Sequence, residues 1–500
     1  MIYNSLFFSG TEQNKLEVYH TISTLTPGLY RIQDIVTNQY FNYHQLTRLL
    51  REISEDLQEI GVKHWNFMAS GGKIEIIEIL PTMDFYRAYL LKNSLPFQYI
   101  LSVINNGAED IDAFCQRCST SKSNLARKMR PLSHFMLKFN LKFSQNPINV
   151  IGDEYNIRLF LSRTTWIGLR GIHTPFTSIP DFANDLAEFF HELNGYKSRE
   201  NFEEIRWGAT IHALRYERGH VIEVPETFLE FKEQLPIFER MDERIKQNYR
   251  NDWEWEKERE GIVFYSMLRH VRRGNNTNFC RQLNCGALAK AHPIWNLSSR
   301  LFDYLDGVNL LPNDFNDRQN IMNELVYEAY LLYAVPNSIL LPDDLLYELP
   351  KESKNLEQVK KLLHKFLDGQ KHQLVYHFTA SKRELFTMKL LKLYRILIEP
   401  TLKKDVQFFV GISMETSNRF RELIIQELKI LKCVKVADFS SKQAEMYDLV
   451  IHSSGKFKKK HPELPSYFWG IYYGENNLEE LLLKVLKLSM NKKNNYMCRV

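Results

Sequence analysis

The chain has 500 residues, 44% hydrophobic and 25% charged, a balance typical of globular protein and a length too great for one core. Its net charge of +5 permits a nucleic-acid partner without demanding one. Six cysteines are too few for a disulfide framework in so long a chain, and no run of about 18 apolar residues marks a membrane span. Met1–Gly10 is too short, and lacks the basic start, for a secretory signal, so reduced thiols and a cytoplasmic setting are expected. The CQRC spacing at Cys115–Cys118 has no second pair to complete a zinc site. It reads as two ordinary thiols, and neither a metal nor a cofactor is implied.

In chain order, Thr11–Ser23 reads as a helix with Leu16, Val18, Tyr19 and Ile22 on its apolar side. Thr24–Leu29 is a turn region, Arg31–Asn38 a short helix and Asn42–Ile60 a longer one. Leu46, Leu49 or Leu50, Ile53 and Leu57 form the buried stripe of that longer helix. Trp65–Ala69 and Lys73–Ile79 alternate like paired strands around Ser70-Gly71-Gly72. Three helices and a hairpin make a first winged helix-turn-helix pattern. Tyr43, His44, Gln45 and Arg48 take the front of its recognition helix, with Glu52, Glu55 and Asp56 behind them. That acidity points to weak DNA contact or to a packing role.

Met83–Asn93 reads as a linking helix, and Phe97–Asn105 starts a second unit. A short helix at Asp110–Arg117 is followed by the polar turn Ser119-Thr120-Ser121, which has N-cap chemistry. Leu125, Met129, Leu132, Phe135 or Met136, and Phe139 then recur on one helical face. Ser121, Lys122, Ser123, Asn124, Arg127, Lys128 and Arg130 supply the front and the wet face. Arg can fork onto guanine, Asn can pair with adenine, and Lys can neutralise phosphate. Pro131 is expected to end or kink this helix near Arg130. A basic helix face is more often merely solvated. The preceding helix lies at helix-turn-helix spacing, however, and Asn140–Phe143 and Ile148–Ile151 flank Gln145-Asn146-Pro147 like a wing. The pattern is a second winged helix-turn-helix, better suited than the first to the major groove.

From Pro180 long helical segments dominate: Asp181–Leu193, Asn201–Arg218, Phe228–Lys246 and Glu254–Arg273, then Trp295–Leu305, Asp317–Val335, Leu356–Gln370 and Ser381–Ile396. They suggest two bundles. The last hundred or so residues change character again. Val406–Ile412, Val434–Phe439, Tyr447–His452 and Phe468–Tyr473 read as strands, interleaved with helices at Ser417–Leu431 and Leu478–Leu488. This is the alternation of a small α/β domain with a parallel sheet. Lys456–Lys460 reads as a solvated basic loop.

The motif SKSNLARKMRPL (Ser121–Leu132), followed by GDEYNIRLFLSRTTW (Gly152–Trp166), resembles the second helix-turn-helix of the Mga/AtxA-like transcriptional regulators of Gram-positive bacteria. The domain order of the whole chain is similar to theirs. The resemblance implies a mainly α multidomain protein: winged helix-turn-helix units at 1–94 and 95–170, helical domains like phosphotransferase-system regulation domains at 171–283 and 284–400, and an α/β domain similar to an EIIB component at 401–500. It implies a regulator that binds double-stranded promoter DNA and activates virulence or carbohydrate-related genes. The implied partners are a second copy of the chain in a dimer or higher oligomer, sugar-transport phosphocarriers and RNA polymerase, with no membrane.

Regulation domains of that type are switched by histidine phosphorylation, which adds about two negative charges at a helix contact. His212 is the first candidate because Arg206, Arg215 and Arg218 lie near it in sequence; His191 is the second. In the second bundle His372 and His377, beside Lys371 and Lys382, are preferred over His364. Gln319–Val335 offers Tyr327, Tyr330 and Tyr333 where a buried histidine would be expected. The loop after the first C-terminal strand, Gly411–Asn418, contains Ser413 and Ser417 but no cysteine, and Cys433 follows the helix. A phosphocysteine enzyme is therefore disfavoured, and no GxxxxGK[ST], HExxH or GxSxG motif supports another enzyme class. An RNA-binding antiterminator would begin with an all-β domain, whereas this chain begins with helices. The remaining alternative is an interaction scaffold whose winged units do not touch DNA.

Overall fold

The computed structural model describes residues 2–32, 41–62, 68–69, 71–76, 80–105, 109–180, 183–185, 187–188, 191, 199–226, 228–229, 243, 261, 264, 293–334, 345, 354–370, 380–399, 407–414, 419–431, 433–454, 456–469 and 475–497. The chain divides into two compact units. The first comprises Met1–Arg272, Thr277–Gly286 and Tyr333–Glu348, and the second Arg273–Asn276, Ala287–Leu332 and Leu349–Val500.

The first unit opens with α1 (Ile2–Phe7) and α2 (Gly10–Ser23), then β1 (Gly28–Arg31), α3 (Tyr43–Glu59), β2 (Met68–Ala69) and β3 (Lys73–Ile76). The strands form an antiparallel sheet in the order β1-β3-β2, with Gly28 opposite Ile76 and Arg31 opposite Lys73. Here the chain departs from expectation: Gly28–Arg31 joins the sheet instead of closing a turn and starting a helix, and 33–40 lies outside the described residues. Four residues are too few to show an alternation, so pairing with β3 decides their conformation. α3 starts where a capping box forms. Asn42 accepts the Gln45 amide, and the Gln45 side chain returns to the Asn42 backbone.

Next come α4 (Met83–Lys92), α5 (Leu95–Asn105), α6 (Ile111–Arg117), α7 (Lys122–Met136), the antiparallel pair β4 (Lys142–Gln145) and β5 (Ile148–Ile151), and α8 (Glu154–Leu169). The chain runs on to α9 (Arg199–Glu217). Pro131 does not end α7 at Arg130, because the helix continues to Met136. Proline withholds one hydrogen bond, here from the Arg127 carbonyl, and costs about 3 kcal/mol in a helix interior. Leu132, Phe135 and Met136 bury beyond it, and each apolar side chain returns about 1.5–3 kcal/mol. The first wing strand begins at Lys142 rather than Asn140, since Asn140 takes a left-handed conformation (φ 55°) after the last turn of the helix.

One continuous apolar core joins Tyr3, Tyr19, Leu50, Phe97, Leu132, Val150 and Phe160 to Trp207 and Leu214 of α9. The two winged patterns and α9 are thus built on a shared interior. Of the other segments expected in the first bundle, all of Glu254–Arg273 but Gly261 and Phe264, and most of Phe228–Lys246, lie outside the described residues.

The second unit contains α10 (Pro293–Gly307), all but the last two residues of α11 (Phe315–Ala334), α12 (Lys354–Gly369) and α13 (Ala380–Leu393). Arg318 forks onto Asp306 between α10 and α11, at 2.7 and 3.0 Å. Lys360 reaches Glu384 between α12 and α13 at 2.9 Å. The unit ends in β6 (Phe408–Ser413), α14 (Arg419–Ile430), β7 (Val434–Asp438), β8 (Leu449–His452), β9 (Ser466–Phe468) and α15 (Glu475–Met497). All four strands are parallel, in the order β7-β6-β8-β9. Val410, Ile412, Leu449 and Ile451 pack beneath Ile424, Leu428, Leu481 and Val485 of the helices. The segment read as a solvated basic loop makes a helical turn, Phe457–Lys460, because Phe457 buries against His452, with ring centroids 4.5 Å apart. No described helix is long and apolar enough to cross a membrane.

Candidate nucleic-acid interface

α6 and α7 meet through a tight polar turn. Asp110 caps α6 by accepting the Ala113 amide at 2.8 Å. At its other end Ser119 adopts φ 48°, the Ser119 amide donates to the Gln116 carbonyl, and the Thr120 amide donates to Cys115. These are the two bonds of a Schellman closure, with serine where glycine is usual. Ser121 then accepts the Asn124 amide at 3.2 Å and begins α7. Four residues, 118–121, join the two helices, the length of connection a helix-turn-helix needs.

Leu125, Met129, Leu132, Phe135 and Met136 bury one face of α7. Lys122, Ser123, Arg127 and Arg130 are exposed, while Asn124 and Lys128 are half-buried. Thr120 Oγ1 accepts from Asn124 Nδ2 at 2.9 Å, and Asn124 Oδ1 accepts from Arg127 Nη2 at 2.8 Å, which orients the guanidinium along the helix front. Lys122 pairs with Asp112 of α6 at 2.6 Å, with both side chains more than half exposed. Such a pair is worth at most about 1 kcal/mol and yields readily to a phosphate. Among the described residues, neither Lys128 nor Arg130 has an ion-pair partner.

The wing lies beside this helix. Tyr99 of α5 donates to the Ser144 carbonyl of β4, and the Ile148 amide of β5 donates to the Glu109 carbonyl at 2.7 Å. The Glu109 carboxylate is gripped by Arg117 at 2.9 Å through both oxygens and by Ser102 at 2.7 Å. The bonds from Arg117 hold its carboxyl below the usual carboxylate range. Between helix and wing runs a groove of about 300 Å³, lined by Lys122, Leu125 and Met129 on one side and Lys142, Phe143 and Gln145 on the other. The wing leads into α8 through Gly152 (φ 146°), where a Cβ would lie 2.8 Å from the Asn140 carbonyl oxygen.

The first winged pattern's candidate residues are placed differently. Gln45 is folded into its own cap, Tyr43 lies against Gly72 of the hairpin, and Tyr43 and His44 meet edge to face. Arg48 is 3.6 Å from Glu52.

Among the candidate histidines, His212 sits fully buried in α9. None of the three arginines nearest in sequence holds its ring. Arg158 of α8, itself fully buried, points Nη1 at His212 Nδ1 from 2.6 Å. Sequence reading missed this contact, together with Glu154, which joins Arg158 to Arg215. The i, i+4 spacing of Glu154 and Arg158 was a local signal for that pair, though not for the contact with His212. His191 is half-buried and packs on Phe202. His364 is 3.6 Å from Glu384. His372 and His377 lie outside the described residues.

Comparison with curated proteins gave no match. A family model described as the Mga helix-turn-helix domain matches residues 82–164, from the cap of α4 through the turn, α7 and the wing into α8. That match supports a Mga-like regulator family for this chain.

Proposed function

We propose that the protein is a transcription regulator that binds double-stranded DNA through its second winged unit. α7 enters the major groove, and Lys142 of the wing approaches the backbone. The observation that carries the reading is the front of α7, where exposed Lys122, Arg127 and Arg130 and half-buried Lys128 stand with no carboxylate anywhere in the helix. Arg127, fixed by Asn124, is assigned base or phosphate contact, and Lys128 phosphate contact. The first winged unit, with its acidic helix, serves mainly to pack and support.

Resemblance extends the proposal to promoter activation and self-association through the C-terminal half, and to regulation-domain and EIIB-like identities for the segments after residue 170. Phosphorylation of His212 would require α9 to separate from α8 first, since the ring is buried against Arg158.

The test is a salt series of full-length protein on A/T-rich and G/C-rich duplexes. Replacing Arg127 and Lys128 by Ala should lower affinity roughly 10–100-fold and flatten the log–log salt slope by about one unit per lost phosphate contact. Failure of the wild type to bind either duplex at low salt would move the reading to the interaction scaffold.

A further inference from the structure

The family match ends at residue 164, yet the helix that grips the wing lies beyond it. Arg215 of α9 is almost fully buried and makes three directed bonds. Nε and Nη2 fork onto the two oxygens of Glu154 at 2.9 and 2.6 Å, and Nη1 donates to Asn149 Oδ1 at 2.8 Å. Glu154 is the first residue of α8, and Asn149 lies in the second wing strand. One guanidinium therefore spans the wing and the helix that follows it. One turn along, Arg218 donates to the Val103 and Asn105 carbonyls at the end of α5, at 3.0 and 2.9 Å. Arg158 adds a third hold by contacting His212 and the His220 carbonyl.

A two-stranded hairpin of four-residue strands is marginal on its own and takes its orientation from what holds it. We propose that α9 is a built-in brace of the DNA reader, with Arg215 the positioning residue that sets the wing against α7 by way of Asn149. The proposal rests on the DNA-binding reading of α7. The fork geometry is specific to arginine, because a lysine cannot meet both Glu154 oxygens and Asn149 together.

The test uses the full chain, duplex DNA and amide hydrogen exchange of residues 142–151. Asn149→Ala cuts the link to the wing while leaving the buried Arg215–Glu154 pair intact, so it guards against simple misfolding of Arg215→Gln. Both variants should speed exchange in the wing, leave α2 and α3 unchanged, and weaken DNA binding. For Asn149→Ala the loss should be about two- to tenfold, as for one hydrogen bond. The salt slope should stay at the wild-type value, because no cation facing DNA has been removed. Arg215→Lys should not restore wild-type exchange. Unchanged wing exchange in folded Asn149→Ala and Arg215→Gln would overturn the brace, whatever the DNA result. Faster wing exchange in a protein whose wild type binds no duplex would overturn the DNA-binding reading and with it the brace's role in reading DNA.

Discussion

The two winged units of this chain share a core and a plan but present opposite chemistry at the front of their recognition helices. Both helices are capped by a polar side chain, Asn42 in α3 and Ser121 in α7, and both carry a buried apolar stripe. In α3 two arginines face four carboxylates, Glu52, Glu55, Asp56 and Glu59, and the polar groups at its front are engaged locally. Lys15 spends its charge on Glu52 and Asp56 from the side. In α7 four cations stand without a carboxylate, and the one ion pair among them reaches to a neighbouring helix. The difference teaches that a winged pattern is a scaffold, while the charge left unspent at the helix front decides whether it can hold a polyanion.

Four substitution or titration experiments sharpen that contrast. The largest stability effect is expected at Gly152, where an alanine Cβ would lie 2.5 Å from Leu141 Cδ2 on a backbone with φ 146°. Gly152→Ala should cost about 3 kcal/mol or more in a thermal or urea melt. Gly71→Ala in the first hairpin, at φ 71° with open space around it, should cost about 1–2 kcal/mol. Next comes DNA affinity. Arg127→Ala with Lys128→Ala should lose roughly 10–100-fold, whereas Arg48→Ala with Arg51→Ala should lose less than about threefold. Equal losses would erase the distinction between the units. Removing the caps is smaller again: Ser121→Ala and Asn42→Ala should each cost about 1 kcal/mol of stability, but only the former should also weaken DNA binding.

The most gradual effect is the response to acid. Burial raises the Glu154 carboxyl, but the fork from Arg215 and the charge of Arg158 outweigh it and hold it below the usual range. Glu109 is likewise held low by Arg117. A depressed carboxylate stabilises the fold above its unfolded value and loses that contribution as pH falls through the folded one. Stability of the second winged unit should therefore decline as pH drops below about 4.3, followed by wing amide exchange. His220 is lowered by burial and then by Arg215, so protonating it should begin to loosen the α9 contact below about pH 6.5. Wing amide protection, corrected for the intrinsic pH dependence of exchange, that stays constant from pH 7 to about pH 3 would contradict this assignment.

Much of this architecture was legible in the sequence because it rests on local periodicity. The stripe from Leu125 to Met136, the serine cap and the Ile148–Ile151 strand each follow from spacing over a few residues. The C-terminal parallel sheet followed from the apolar runs at VQFFVGI and YDLVIH. What stayed hidden depends on partners distant in the chain. β1 exists because β3 pairs with it, and Pro131 is tolerated because the turn beyond it is buried. The sequence neighbours of His212 suggested three arginine partners, but the side chain that meets it comes from 54 residues away. Local spacing cannot reveal such a contact, nor the bond between Arg215 and the wing.

The central claim is that α7, and not α3, meets DNA. It is tested most directly by placing a photo-crosslinking side chain at Ser123 or at His44, the front of each recognition helix, in the full-length protein bound to duplex DNA. The account predicts a protein–DNA adduct from position 123 that salt suppresses, and little or none from position 44. An adduct from position 44 alone would contradict it.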